Sequence, residues 1–245
     1  MDLAKILSYG VSSWLHFETA CNRSGLFNEK YLTAPVGQIL SARSGNRTEA
    51  EWKHPVLSNT GQGPGRRPEV DFYVKGRADE LPIAVETKWA GRTLPSTKDI
   101  LWDLIRLELI AHHNQARCFF LLAGKKERLD QIFDRKDFTD ANSPTMKRPL
   151  LRIDNNIIHA TSLVPTVSSR IPILRSLFEK MQDFEFPHKL HTRRTAPSPE
   201  NPKRKHYQVY IWEVKSATNR QIFRPSNSKH YTQSQHLNTI VVSEK

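Results

Sequence analysis

The stretch PEVDFYVKGRADELPIAVETKWA, residues 68–90, decides the fold of this chain. It contains two runs rich in strand-forming residues, at 70–74 and 81–89, separated by a turn through residues 75–80. Pro82 belongs at the start or edge of the second run, because proline cannot donate to a ladder of strand hydrogen bonds. The pattern predicts two strands that a tight turn can join as a hairpin.

The second run carries an acid and a base on one side. Because side chains alternate along a strand, Glu86 and Lys88 should point to the same face. In a hairpin, Asp71 of the first strand would lie beside Glu86. Two converging carboxylates repel each other unless a cation lies between them, and oxygen ligands with water suit Mg²⁺ or Mn²⁺. A plain hairpin with a cross-strand ion pair is the alternative interpretation.

The flanking sequence predicts a mixed α/β core around these two strands. Residues 97–113 should form a buried helix, capped by Ser96 with an acid three residues later. Residues 117–123 are typical of a buried strand, and residues 27–42 and 4–21 are helix candidates. The order helix, turn-rich region, strand, strand, helix, strand is that of a mixed α/β core.

Two short motifs carry a resemblance to a known family. Residues 68–71 (Pro-Glu-Val-Asp) and 86–88 (Glu-Thr-Lys) resemble the two half-motifs of the PD-(D/E)xK nuclease superfamily. The resemblance covers residues 27–124, where the order of helices and strands also agrees. It implies a restriction-endonuclease-like core, with a central mixed sheet flanked by helices. Glu69 is an alternative to the motif's Asp71, which is preferred for its better strand flank.

The resemblance also implies roles for individual side chains. Asp71 and Glu86 would bind Mg²⁺, which would polarise a phosphoryl oxygen and activate a water. Lys88 would be the catalytic lysine; it would hold or deprotonate the water, or neutralise the charge that develops on phosphorus. The superfamily often places another acid on its first core helix. Glu29 fits that place best, and Glu18 is the competitor.

Other charged residues offer competing interpretations. Glu213 and Lys215 form a second Glu-x-Lys pattern, but its upstream acid, Glu200, lies in a polar loop. The pattern at residues 86–88 is therefore preferred. The acids and arginine of the helix at residues 97–113 are expected to form an ion pair inside the fold rather than to bind phosphate. They are Asp103, Arg106 and Glu108.

The charge of the chain indicates a polyanionic partner. The 245 residues carry a formal net charge of +12. Residues 1–140 hold 20 Lys or Arg and 18 Asp or Glu, whereas residues 141–245 hold 17 and 7. Nucleic acid is the commonest polyanion inside a cell. We therefore expect a nuclease core in residues 1–140 and a basic extension in residues 141–245 that packs on the core and contacts DNA.

Two basic stretches are candidates for that contact. Residues 61–67 are glycine-rich and end in two arginines, and residues 187–205 are basic and proline-rich, which predicts a loop. Residues 207–214 should form a strand whose aromatic side chains pack in the core. The candidate phosphate contacts are Arg66, Arg67, Arg193, Arg194, Lys203, Arg204 and Lys205.

Several protein classes are disfavoured. The chain contains no run of about 18 apolar residues, which disfavours a membrane span, and its first residues do not have the pattern of a secretory signal. Two cysteines without a Cys-x-x-Cys pair disfavour a disulfide framework or a zinc finger. We expect a cytoplasmic protein with DNA as partner and no membrane contact, and a homodimer is left open.

The sequence thus predicts a Mg²⁺-dependent endodeoxyribonuclease. Restriction or defence against foreign DNA, recombination and transposition are all compatible with it. Two other classes of function compete: a catalytically inactive DNA-binding module that keeps the fold, and an RNA-binding or RNA-processing protein that uses the basic C-terminal part.

Overall fold

A computed structural model describes residues 2–57, 68–140, 148–154 and 156–231. In these residues it shows a seven-stranded mixed sheet with helices packed on both faces. The helices are α1 (Leu3–Ala20), α2 (Thr33–Ser44), α3 (Thr97–His113), α4 (Lys126–Phe133), α5 (Lys136–Thr139) and α6 (Ile171–Phe178). The strands are β1 (Thr48–Lys53), β2 (Glu69–Val74), β3 (Ile83–Ala90), β4 (Arg117–Lys125), β5 (Ile158–Ser162), β6 (Phe186–Pro187), β7 (Lys189–Ser198), β8 (Tyr207–Lys215) and β9 (Ile222–Phe223).

The large sheet has the order β1-β2-β3-β4-β8-β7-β5, and β6 pairs with β9 in a separate ribbon. β3 and β4 run parallel, and α3 makes the crossover that a parallel pair requires. The other neighbouring pairs of the large sheet are antiparallel. The predicted mixed α/β class with a central mixed sheet is confirmed.

The start and packing of α3 follow from its sequence. Ser96 Oγ accepts a hydrogen bond from the Asp99 amide at 3.1 Å, and the Asp99 carboxylate accepts one from the Ser96 amide at 3.1 Å. This capping box satisfies two amides that the first turn would otherwise leave unpaired. Behind the cap, apolar residues such as Leu104 are fully buried against the sheet. The predicted helix at residues 97–113 is confirmed.

The sheet separates two apolar cores. α3 packs on one face with Ala84 and Ala90 of β3, whereas α1 and α2 pack on the other with Val85. Because alternate residues of a strand share a face, Glu86 and Lys88 lie on the α3 side. A pair of charged side chains thus points from a central strand towards an apolar helix.

The structure corrects two predicted elements. Residues 187–205 are not simply a loop, because β7 spans Lys189–Ser198 and pairs with β5 on one side and β8 on the other. Pairing along both edges satisfies the backbone of this polar segment, and Pro197 falls where the ladder shifts register. The helix predicted at residues 27–42 starts later, at Thr33.

Other features agree with their predictions. Tyr210 and Trp212 of β8 are buried in the core. None of the described helices is both long and apolar enough to cross a membrane.

Candidate active site

Two elements bring the central charges of the site together. Glu86 and Lys88 project from β3, while Asp103 and Arg106 lie one turn apart on α3. Arg106 Nη2 lies 2.7 Å from both Glu86 Oε1 and Asp103 Oδ1, and Lys88 Nζ lies 3.1 Å from Asp103 Oδ2. The four side chains form one buried chain of alternating charges.

Asp71 joins this group from the neighbouring strand. The paired residues of β2 and β3 run to Phe72 opposite Val85, so Asp71 is the next residue along, towards Glu86. Its Oδ2 accepts hydrogen bonds from the amide and the hydroxyl of Thr87, both at 2.7 Å. The Asp71 carboxylate is thereby held against Thr87 of β3, the residue between Glu86 and Lys88 in the sequence.

Glu29 reaches the site from the segment between α1 and α2. Its Oε1 lies 3.1 Å from Lys88 Nζ, and its side chain is 47% exposed. It precedes α2 instead of lying within it, which corrects the predicted helix position. Glu18 is engaged elsewhere: it accepts hydrogen bonds from Arg23 Nε and from the Tyr31 hydroxyl, each at 2.7 Å. These bonds tie the segment that carries Glu29 to α1.

The site has more negative than positive groups. Four carboxylates surround two cations, and the side chains of Glu86 and Asp103 are only 1% and 4% exposed. Burial raises the pKa of Glu86 well above its ordinary value; Arg106 opposes this shift, and the neighbouring acids Asp103 and Asp71 add to it. A further cation beside Glu86 would stabilise its ionised form and lower its pKa.

The two cations are held firmly in their charged forms. Burial works against the Lys88 ammonium, but attraction to Asp103, Glu29 and Glu86 outweighs it and raises the pKa of Lys88. Burial also works against the Arg106 guanidinium, but attraction to Glu86 and Asp103 outweighs it and raises the pKa of Arg106. Lys88 is therefore a protonated donor in this arrangement.

Asp71 and Glu86 are the two carboxylates of the site that a metal ion could share. Among the described residues, no group of three or more His, Cys, Asp or Glu has an arrangement that would hold a metal ion. Mg²⁺ usually keeps several waters and takes one or two carboxylates together with substrate phosphates. Asp71 and Glu86 can supply those two carboxylates, and the buried Glu86 Oε1 has an ion pair but no hydrogen bond of good geometry.

The sequence pattern predicts Arg106 in an ion pair inside the fold but not its contact with Glu86, and it does not point to His54. The predicted ion pair between Asp103 and Arg106 is confirmed, but Arg106 also pairs with Glu86 and donates to the Glu69 carbonyl at 2.8 Å. The fully buried His54 contacts the Arg106 carbonyl through Nε2 at 3.1 Å. A run of alternating charges inside an apolar helix was the available signal for Arg106.

The tautomer of His54 follows from its partners. Its Nδ1 accepts the amides of Val56 and Leu57 at 3.2 and 3.1 Å, so the proton lies on Nε2, which donates to α3. Burial lowers the pKa of His54 to about 4. The neutral ring therefore fastens the segment after β1 to the helix that carries Arg106.

The competing Glu-x-Lys pattern has a different environment. Glu213 Oε1 lies 3.4 Å from Arg117 Nε, and its Oε2 lies 3.3 Å from Lys215 Nζ. The backbone carbonyl of Glu200 accepts a hydrogen bond from Gln208 Nε2 in the turn before β8. Glu213 is thus neutralised by two cations and lies on β8, two strands away from β3.

The predicted phosphate contacts fall in different places. Lys203, Arg204 and Lys205 are exposed in the turn between β7 and β8. The Arg204 and His206 carbonyls accept the first amides of α4, at 3.1 and 2.9 Å, which holds this turn beside the end of β4. We call residues 203–206 the basic turn.

Two of the remaining candidate contacts, Arg193 and Arg194, lie away from the site. Arg193 is exposed on β7, three strands from β3 and directly opposite Glu213 in register. Arg194 is half-buried beside it, opposite Trp212. Arg66 and Arg67 lie outside the described residues.

Comparison of the chain with protein-family models, with curated proteins and with solved structures finds no match.

Proposed function

We propose that this protein is a Mg²⁺- or Mn²⁺-dependent deoxyribonuclease of the PD-(D/E)xK type, with a restriction-endonuclease-like core. The observation that carries the proposal is the convergence of Asp71, Glu86, Lys88 and Glu29 at one place. Four carboxylates around two cations, with a lysine among them, suit a divalent cation and a phosphodiester.

Asp71 and Glu86 are the metal ligands in this proposal. The bound ion would polarise a phosphoryl oxygen and lower the pKa of a water. The bonds from Thr87 hold one oxygen of Asp71 in place, so this carboxylate is preorganised before any ligand arrives. The partly exposed Glu29 faces the same lysine from the solvent side and can accept a hydrogen bond from the attacking water.

Lys88 acts as a charged donor in this proposal. Its two ion pairs and its raised pKa favour an ammonium, which stabilises negative charge on the pentavalent phosphorus and orients the water. Deprotonation of the water by Lys88 is disfavoured for the same reason.

DNA binding would use the basic turn. Its three cationic side chains are exposed and stand beside the ends of β3 and β4, where Lys88 also lies. Neutralising backbone phosphates with Lys and Arg releases counterions, which gives affinity without sequence preference. Whether the biological role is restriction, defence, recombination or transposition depends on the DNA target.

A catalytically inactive DNA-binding module is the second candidate, and one observation favours it. The Arg106 guanidinium lies 2.7 Å from Glu86 and supplies the positive charge that a metal ion would otherwise provide. In this alternative, Arg106 replaces the metal permanently, and the basic turn still binds DNA.

The decisive experiment incubates the purified protein with supercoiled plasmid, with and without Mg²⁺. We expect nicked or linear product only with the metal, and loss of cleavage in Asp71→Asn and Glu86→Gln. Glu213→Gln, which removes the same charge from the competing pattern, is the matched control and should cleave normally. Binding curves measured in Ca²⁺ separate loss of chemistry from loss of affinity.

The same experiment discriminates the other candidates. DNA binding without cleavage at any metal concentration would favour the inactive module. Preferential binding or cleavage of RNA of matched sequence would favour RNA processing.

A further inference from the structure

Five aromatic rings meet at the end of β3, and they form what we call the aromatic cluster. Phe27 lies 5.5 Å from Tyr31, 5.8 Å from Trp89 and 5.0 Å from Tyr207, measured between ring centroids. Trp14 lies 4.7 Å from Tyr31, and Trp89 lies 5.7 Å from Tyr207 with an interplanar angle of 28°.

The cluster lies on the α1 and α2 face of the sheet beside the basic turn, and Glu29 connects it to Lys88 on the other face. Trp89 follows Lys88 directly on β3, and Phe27 and Tyr31 flank Glu29 in the segment before α2. Tyr207 follows the basic turn and begins β8. A nucleic-acid strand that runs from the basic turn towards the end of β3 would therefore pass over these rings before it reaches Glu29, which contacts Lys88.

The hydrophobic core buries most of these rings only in part. Trp14, Phe27, Tyr31 and Trp89 are half-buried, whereas the other large rings of this sheet face, such as Phe119, are fully buried. The neighbouring Leu26 is 54% exposed. An apolar surface of this kind beside a basic turn suits a ligand with a flat face and a negative backbone.

Local contacts hold the rings in place before a ligand binds. The Tyr31 hydroxyl donates to Glu18 at 2.7 Å, which anchors the ring to α1. The Trp89 indole lies against Gly91, where an added Cβ would be 2.5 Å from Nε1. Rigid rings lose little conformational freedom when a partner stacks on them.

We propose that an unpaired DNA base stacks on the aromatic cluster while the adjoining phosphates lie between the basic turn and Lys88. The proposal rests on the nuclease function and narrows its substrate class to DNA with a single-stranded segment next to the scissile phosphate. In a closed duplex each base is stacked on its neighbours, and exposing a face requires unstacking. Forked, flapped or single-stranded DNA presents such a face at no further cost.

The test uses an oligonucleotide that carries 2-aminopurine, whose fluorescence is quenched when it stacks on a ring, in Ca²⁺ to prevent cleavage. Base stacking on one ring is worth roughly a 5- to 100-fold change in affinity. We expect Trp14→Leu and Trp89→Leu to lose the quenching and to weaken binding to single-stranded and forked DNA by that factor. Binding to blunt duplex should change little.

Two further variants separate stacking from folding. Trp52→Leu removes a ring that stacks on Tyr73 at 3.8 Å elsewhere on the sheet, and it should keep the quenching. Tyr31→Leu should lose it, and Tyr31→Phe, which keeps the ring without the hydroxyl, should restore it.

The outcomes distinguish this proposal from the nuclease function. If the wild type cleaves plasmid but the Trp14 and Trp89 variants quench and bind forked DNA normally, the stacking proposal is wrong and the nuclease stands. If the variants lose quenching but the wild type cleaves no DNA with Mg²⁺, stacking stands and the nuclease is wrong. Equal affinity of the wild type for blunt duplex and forked DNA would also overturn the stacking proposal.

Discussion

Replacing Arg106 by methionine tests whether Glu86 is poised for a divalent cation. Arg106 lies 2.7 Å from Glu86, whose side chain is 1% exposed. Methionine fills similar space without the charge, so the variant leaves a buried carboxylate that has lost its partner. Breaking a buried ion pair in this way typically costs about 3–5 kcal/mol.

Binding of Mg²⁺ should restore part of the stability that the Arg106→Met variant loses. If Asp71 and Glu86 form a metal site, removing the competing guanidinium should tighten Mg²⁺ binding in Arg106→Met. A ligand at 100 times its Kd stabilises the folded state by about 2.7 kcal/mol. We therefore expect Mg²⁺ to return much of the lost stability to the variant and to stabilise the wild type less.

Chemical unfolding at 0 and 10 mM Mg²⁺ measures both quantities. Arg220→Met is the matched control, because Arg220 forms a buried ion pair with another acid of α3, at 2.9 Å from Glu108. It should destabilise the protein without any recovery in Mg²⁺. If Mg²⁺ stabilises both variants equally, or neither, the carboxylates beside β3 do not bind the metal and the reasoning fails.

Three further predictions follow from the site and its surroundings. Lys88→Ala should reduce cleavage by roughly 10²–10³-fold while DNA binding in Ca²⁺ persists, and Lys215→Ala should cleave normally; the reverse result in time courses would move the site to β8. Alanine at all three positions of residues 203–205 should reduce the steepness of log K against log salt by roughly one unit per lost phosphate contact. An unchanged slope would exclude the basic turn as the surface that binds DNA phosphates. The pKa of His54 is about 4 in the folded protein and 6.5 ordinarily, so the unfolded chain takes up its proton first as the pH falls. His54 alone should lower the stability by about 3 kcal/mol from pH 7 to pH 4, and unfolding curves of His54→Asn should lack this part of the pH dependence.

The central part of the fold was predictable because its signals are local. The capped helix, the alternation in β3 and the apolar run of β4 each depend on residues within one element. The same alternation placed Glu86 and Lys88 on one face, and a neighbouring strand brought Asp71 to them. The structure also brings Glu29 to Lys88, although from a turn before α2 and not from within a helix.

The remaining features depend on contacts between distant segments. β7 is rich in charge and proline, and it becomes a strand because β5 and β8 pair with both of its edges. The contact between Arg106 and Glu86 depends on how α3 is rotated over β3, which no spacing within the helix specifies. The charge asymmetry at residue 140 likewise does not reveal that β7 and β8 continue the sheet of the N-terminal part.

The position of β8 has a consequence for synthesis of the protein. β4 is buried along almost its whole length, and β8 covers its second edge from Cys118 to Lys125. β8 ends about 90 residues after β4 ends. At a synthesis rate of 5–20 residues per second, the apolar edge of β4 therefore stays uncovered for roughly 5 to 20 s. An uncovered edge of this kind is a template for pairing with other chains. The nascent protein should therefore require a chaperone during this interval, and a gene truncated after codon 140 should yield inclusion bodies.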